Sequence, residues 1–336
     1  MAAVARRRAR ARGPGGRPLM PGGTATAATM TAATVVAPGV VRLDGRPAPE
    51  PGNGEVLIRV EGCGVCGSNV PVWEGRPWFD YPLRPGEPGH EGWGRVERLG
   101  PGVSGLEPGT RVAYLSQTAF AEFDLVPAGH VVALPDELDD TPVPGEALGC
   151  ALNVLERSRI AASDRVAIVG AGFLGLLLVQ LAAAAGARVT AFGRRPFVLQ
   201  LATELGAADA TLLTEAPQSA NFDCAIEAAG VQATLDVASR LVRERGLLVI
   251  AGYHQDGRRE VDLQSWNWRG LDVVNAHERD PSAYLKGMRH AVEAVRKGVL
   301  QVEPLLTHRF ALHELDHALD AARDRPDGFV KAVVLT

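Results

Sequence analysis

From Ser163 onward the chain alternates short apolar runs with longer stretches whose apolar residues recur at helical spacing. The runs are Arg165–Val169, Arg188–Phe192, Ala210–Leu213, Asp223–Glu227, Leu247–Ala251 and Leu271–Asn275. Strands buried on both faces read as continuous aliphatic runs, and intervening helices make the crossovers parallel. Six such strands predict an α/β fold with a doubly wound parallel sheet. The long apolar stretch from Val166 to Ala187 resembles a membrane span, but Gly170, Gly172 and Gly175 divide it. It is read as a strand followed by a buried helix, Phe173–Ala185. A later helix places Leu285, Met288, Val292 and Val295 on one face, with Gly298 as its C-terminal stop.

The first half has a different texture. Residues 30–150 are dense in Gly and Pro. Glu55–Val60 alternates polar and apolar, as a half-buried strand does, and Arg111–Tyr114 and His130–Leu134 are further strand candidates. The expectation is an irregular, mainly β domain over residues 30–154, a dinucleotide-binding domain over 155–275 and a last segment over 276–336.

Composition narrows the class. With 336 residues, 46% hydrophobic and 22% charged, the chain is long and apolar enough for two domains and excludes global disorder. Residues 1–29 hold six Arg and no acid, so with −4 overall the other 307 carry −10. An acidic body argues against nucleic acid as a partner. The basic head is read as a disordered extension or as sequence upstream of a start at Met30; a nucleic-acid arm and a transit peptide are the other readings. Four scattered cysteines (Cys63, Cys66, Cys150, Cys224) point to a reducing, cytoplasmic setting rather than a disulfide scaffold.

Two motifs carry chemistry. Gly170-Ala171-Gly172-Phe173-Leu174-Gly175 follows a strand and opens a helix, the context in which G-x-G-x-x-G binds a dinucleotide. Its glycines serve the tight turn, the approach of the pyrophosphate and close helix–strand packing. At the end of the next strand an NAD site usually carries an acid for the ribose 2′-hydroxyl. This chain has Gly193-Arg194-Arg195-Pro196 there. Two guanidinium groups pair with a 2′-phosphate, so NADP(H) is expected over NAD(H).

The second motif is Cys63-Gly64-Val65-Cys66-Gly67-Ser68-Asn69, with Gly89-His90-Glu91 following 24 residues after Cys66. A thiolate, an imidazole and carboxylates suit zinc, and three protein ligands with an open position mark a catalytic site. No second cysteine pair completes a zinc ribbon, and no strand–CxxC–helix context makes Cys63 and Cys66 a redox pair.

Cys66-Gly67-Ser68, Gly89-His90-Glu91 and the glycine motif at 170–175, in this order, resemble the zinc-dependent medium-chain alcohol and polyol dehydrogenases over about residues 30–336. The stretch Cys66–Arg76 is most similar to the sorbitol dehydrogenase branch. The resemblance implies a GroES-like catalytic domain, a Rossmann domain, a last segment returning to the first, and an active site between them. It implies Cys66 and His90 as zinc ligands, Glu91 as an adjacent carboxylate that coordinates or swings away, and Glu146 as third ligand, with Cys150 a competitor. Ser68 is the implied first proton relay, and Lys331 the implied pyrophosphate contact. A Lewis-acid zinc then lowers the pKa of the substrate hydroxyl while hydride passes to or from the nicotinamide.

Four positions depart from the family pattern. No cysteine cluster follows Gly109-Thr110-Arg111-Val112, so no structural zinc is expected. Asn69 replaces an acid behind the zinc shell, which is expected to weaken the metal site. Pro71 stands where relatives carry a proton-passing histidine, and Ala147 replaces a proline.

The resemblance implies a secondary alcohol or its ketone as substrate, and Glu146 with the sorbitol-like stretch favours a polyol, sugar or cyclitol. Trp73, Trp78, Phe79 and Tyr81 either wall its pocket or fill the domain core, and Asn275 and His277 end the last parallel strand, where ligands sit. A zinc-independent reductase of quinones or enones and a non-catalytic NADP-binding protein remain as alternatives. By analogy the enzyme is a homo-oligomer with no membrane partner.

Overall fold

The computed structural model describes residues 29–218 and 221–336. The basic head lies outside the described residues, apart from Thr29, which opens the first strand.

Strands β1 (Thr29–Ala37) and β2 (Val40–Pro47) form an antiparallel hairpin around Gly39, whose φ of 69° suits a residue without a Cβ. The sequence pattern missed both strands because Ala and Thr dilute their apolar alternation. The main sheet of this half collects β3 (Glu55–Gly64), β4 (Glu91–Leu99), β5 (Arg111–Tyr114), β6 (Phe123–Pro127) and β7 (Val131–Ala133). Strand β3 extends four residues past the predicted Glu55–Val60, because its continuation Glu61–Gly64 pairs with β4. Short helix α1 (Asn69–Trp73) follows, and helix α2 (Gly145–Ser158) leads out, running across the boundary expected at residue 154.

The second sheet is parallel throughout. Its strands β8 (Arg165–Val169), β9 (Arg188–Gly193), β10 (Asp209–Leu212), β11 (Phe222–Glu227), β12 (Val242–Ile250) and β13 (Asp272–Asn275) lie in the order β10-β9-β8-β11-β12-β13. Each predicted run is found within a few residues. Helices α3 (Phe173–Ala184), α4 (Pro196–Glu204), α5 (Gln232–Leu241) and α6 (Leu263–Arg269) make the connections. This is the GroES-like plus Rossmann α/β architecture, and the apolar run at 166–187 is a strand and a helix. Among the described residues no helix is long and apolar enough to cross a membrane.

Helix α7 (Pro281–Arg296) buries Leu285, Met288 and Val292, and Gly298 follows it at φ 70°. The chain then returns to the first sheet through β14 (His308–Ala311), helix α8 (Leu315–Asp324) and β15 (Ala332–Leu335); β15 pairs antiparallel with β3 at Cys63. That return places residues near 330 beside residues near 64. Helices α2 and α7 cross closely: a Cβ on Gly287 would overlap the Gly149 carbonyl. One continuous apolar core runs through this crossing, from Trp93 and Leu148 to Leu176–Leu178 and Met288. The two sheets are therefore held on a shared apolar core.

Candidate active site

The loop after β3 and the start of β4 bring Cys66, His90 and Glu91 together, with one ligand atom from each lying within 4.8 Å of the others. A chain of hydrogen bonds fixes them. The Cys66 amide donates to Asn69 Oδ1 (2.9 Å), Asn69 Nδ2 donates to the Pro88 carbonyl (3.0 Å), and His90 Nδ1 donates to the same carbonyl (2.9 Å). With Nδ1 so engaged, Nε2 faces the cluster. Asn69 is buried, and its amide both accepts and donates here. A carboxylate could not give the second bond. Asn69 thus ties the Cys66 loop to the His90 loop.

Glu91 is buried, with Oε1 2.6 Å from Lys331 Nζ and Oε2 without a hydrogen-bond partner. The carboxylate fits only because residue 64 is glycine, since a Cβ there would overlap Oε2. A buried carboxylate oxygen without a donor calls for a cation, and sulfur, imidazole and carboxylate donors are those that zinc takes. The donor set fits the metal. Burial pushes the His90 imidazole down, but the Cys66 sulfur and the Glu146 and Glu91 charges outweigh this and lift it to about 10.

Glu146, in the first turn of α2, is not one of the three tightly grouped residues, although its charge acts on His90 and Lys331. Cys150, one turn later, donates its S–H to Glu146 Oε1 at 3.2 Å. Burial and the Glu146 charge push that thiol well above its ordinary range, so it stays protonated as a donor. Ser68 Oγ lies 3.5 Å from His90 Nε2.

The three glycines of the turn differ in conformation and surroundings. Gly170 has φ 116°, a conformation that L side chains avoid. A Cβ on Gly175 would overlap the Gly170 carbonyl, so helix and strand meet there. A Cβ on Gly172 would meet nothing, because this residue borders open space. Gly172 is the N-cap of α3 and offers no side-chain cap, which leaves the first helical N–H groups of Phe173 and Leu174 free for a phosphate.

Residues 52–136 match the alcohol dehydrogenase GroES-like domain, and residues 174–293 match the zinc-binding dehydrogenase domain. Sorbitol dehydrogenase of Gallus gallus is 29% identical over 85% of this chain and 91% of its own length. D-arabinitol dehydrogenase 1 of Uromyces fabae is 25% identical over 81% of this chain and 87% of its own. Among solved structures, a zinc-binding dehydrogenase of Sinorhizobium meliloti 1021, bound to NADP, superposes with a TM-score of 0.79 at 29% identity, covering 92% of this chain and 100% of that one. The chain belongs to the zinc-dependent medium-chain dehydrogenase family. It is an alcohol/polyol dehydrogenase of that family.

In this dehydrogenase Lys331 is neither a surface lysine nor free to serve the pyrophosphate alone. Its ammonium is buried on Glu91 and sits 4.5 Å from the centre of the Phe173 ring, beside the start of α3. Arg194, after Gly193 of β9, is exposed, whereas Arg195 donates to the Phe329 carbonyl at 2.6 Å. Trp73 belongs to the domain core and donates to Asp320 at 2.8 Å, so it walls no pocket. Tyr81 bonds the Val72 carbonyl, Trp78 is exposed, and Phe79 is its tilted neighbour at 6.1 Å. Pro71 is buried within α1 and Ala147 within α2. His277 is exposed and stacks on Tyr253 at 5.4 Å; Asn275 ends β13, also exposed.

Sequence reasoning missed one network. Glu227, fully buried at the end of β11, accepts from the Ala229 and Gly230 amides, from Thr234 and from His254 Nε2 (3.0 Å), and Arg259 donates to His254 Nδ1 (2.9 Å). It pins the loop after β12, from which Gln255 reaches the Gly67 carbonyl beside Cys66 at 3.4 Å. Only the carboxylate at a parallel-strand terminus hinted at it.

Proposed function

We propose that this dehydrogenase moves a hydride between NADP(H) and a secondary alcohol or its ketone, of the polyol, sugar or cyclitol class. In this reading one catalytic zinc is held by Cys66, His90 and Glu146, with Glu91 as the adjacent carboxylate. The observation that carries it is the position of Lys331. One ammonium touches both Glu91, in the group of candidate metal donors, and Phe173, at the head of the helix that follows the glycine motif, which supports metal and dinucleotide binding side by side.

When bound, the zinc draws electron density from the substrate oxygen and the nicotinamide carries the hydride. The chain's own residues do the rest. Cys66 and His90 are presented by fixed loops, so little reorganisation accompanies metal binding. Ser68 Oγ, beside His90, takes the hydroxyl proton on its way to solvent. Gly172 and the amides of Phe173 and Leu174 receive the pyrophosphate, and Arg194 with Arg195 receives the 2′-phosphate. A polyol is favoured by Glu146 as an oxygen ligand and by the sorbitol and arabinitol dehydrogenase relatives.

No structural zinc belongs to this reading. The segment that stands in place of a cysteine cluster is closed by Ser116, Thr118 and Asp124 through bonds of 3.2 and 2.7 Å. The reading includes a homo-oligomer, supported by edge strand β13 with Val273 exposed and by the exposed Trp268 on α6. It includes a cytoplasmic setting, supported by four free cysteines.

The test is turnover of the purified full chain with NADP⁺ and NAD⁺ on polyols, cyclitols and simple alcohols, beside Cys66→Ser. The expected result is highest kcat/KM for NADP⁺ with a polyol or cyclitol, abolished in Cys66→Ser. Turnover that survives this change, on quinones or enones, contradicts the reading.

A further inference from the structure

Three arginines from two distant parts of the chain come near the end of β9, where the segment that carries Arg325 touches Arg195 and the charges of Arg325 and Arg194 act on it. Arg194 and Arg195 come from the β9–α4 junction. Arg325 comes from the segment after α8, 130 residues later, where it closes that helix at φ 50°. The Arg195–Phe329 hydrogen bond (2.6 Å) holds this segment against the junction, and the Phe329 amide turns back onto the Pro326 carbonyl (3.0 Å). Burial and then the charges of Arg325 and Arg194 hold Arg195 below the usual guanidinium range. Arg325 is exposed, and what shielding its side chain has, together with the Arg194 charge, holds it below the usual guanidinium range.

The nearest acid in sequence, Asp324, pairs with Arg323 at 2.7 Å. Among the described residues none of the three arginines makes an ion pair with a carboxylate. Arg195 spends one N–H on a carbonyl, which leaves the rest of its fork and two further guanidinium groups without an anion. Like charges gathered without a counterion cost free energy until an anion arrives, and a dianionic phosphate is what a ring of forked donors matches. Helix α4 begins at the same place with no side-chain cap, adding its positive end.

We infer that Arg325 is the third phosphate-binding residue of the cofactor site, reaching from the C-terminal segment to clamp the 2′-phosphomonoester between the two halves of the molecule. The inference rests on the NADP(H) reading above and goes further. Cofactor choice is then set by the returning segment as well as by the β9 turn, and Arg195 serves partly to position that segment.

The experiment is titration of the full chain with NADPH and with NADH, for the parent, Arg325→Ala and Arg325→Lys, with adenosine 2′,5′-bisphosphate and adenosine 5′-monophosphate as minimal probes. Arg325→Ala is expected to weaken NADPH and the bisphosphate about tenfold, the loss of one charge-assisted pair. NADH and the monophosphate should be unchanged, and Arg325→Lys should keep part of the preference. A residue that merely supports the fold would weaken both cofactors alike and would not distinguish Lys from Ala. A parent that prefers NADPH while Arg325→Ala retains the full preference overturns the role of Arg325 and leaves the cofactor reading standing. A parent that binds NADH as tightly as NADPH overturns both.

Discussion

Lys331 Nζ lies 2.6 Å from Glu91 Oε1, with both side chains buried and the two residues 240 positions apart in the chain. The pair exists because β15 returns to β3 and carries Lys331 to the edge of the metal-donor cluster. Burial disfavours its ammonium, but Glu91 and then Cys66 outweigh this and raise the Lys331 pKa. Removing one partner leaves an uncompensated buried charge. Lys331→Met is expected to cost the zinc-free protein about 3–5 kcal/mol in urea unfolding. Combining it with Glu91→Gln should recover most of that loss. Added zinc should stabilise Lys331→Met more than the parent, because the metal then neutralises Glu91. Equal unfolding midpoints in all forms would refute the pairing.

Asn69 joins the two ligand loops by an accepted and a donated bond. Asn69→Ala loses both, and Asn69→Asp keeps only the bond from the Cys66 amide. Zinc affinity should fall by about 10–100-fold in Asn69→Ala, as for other residues that orient ligands. Competition with a chromophoric chelator measures it. Unchanged affinity in both variants would show that the loops hold themselves.

The glycine turn separates packing from binding. Gly175→Ala puts a methyl into the Gly170 carbonyl and should lower the melting temperature. Gly172→Ala meets open space, so it should melt like the parent while losing NADPH affinity, because the methyl occupies the ground of the pyrophosphate. Melting curves with and without NADPH distinguish the two. The reverse order of effects would contradict the assignment.

Asp124 is buried, and burial raises its pKa above 3.8 despite the hydrogen bonds it accepts. The folded state therefore holds this proton more tightly than the unfolded one. Stability is favoured at low pH and declines as pH rises from the unfolded value through the raised folded one. Asp124→Asn removes this titration. The stability of the variant relative to the parent should rise across that window, read from urea midpoints between about pH 4 and about pH 8. A difference that is flat with pH would refute it.

Much of this was legible in the sequence, for physical reasons. The parallel strands are buried on both faces and read as aliphatic runs, so Arg165–Val169 is found as predicted, and Arg111–Tyr114, an antiparallel strand buried along its whole length, is found as predicted too. Cys66, His90 and Glu91 carry their chemistry in residue type and order. What escaped depends on pairing between distant segments. The β1–β2 hairpin is Ala- and Thr-rich, and β15 acquires meaning only against β3. The partner of Lys331 and the contact of Arg195 with Phe329 are properties of that return, and the two hydrogen bonds of Asn69 join separate loops. The pattern of a single strand or loop does not contain them.

The central claim is that Cys66, His90, Glu91 and Glu146 form one catalytic zinc site and that the chain has no other. Zinc per chain decides it, by elemental analysis of protein purified without chelator or added metal, in the parent and in Cys66→Ser. The account predicts about one zinc per chain in the parent and close to none in the variant. Two zincs per chain, or one that persists in Cys66→Ser, would contradict it.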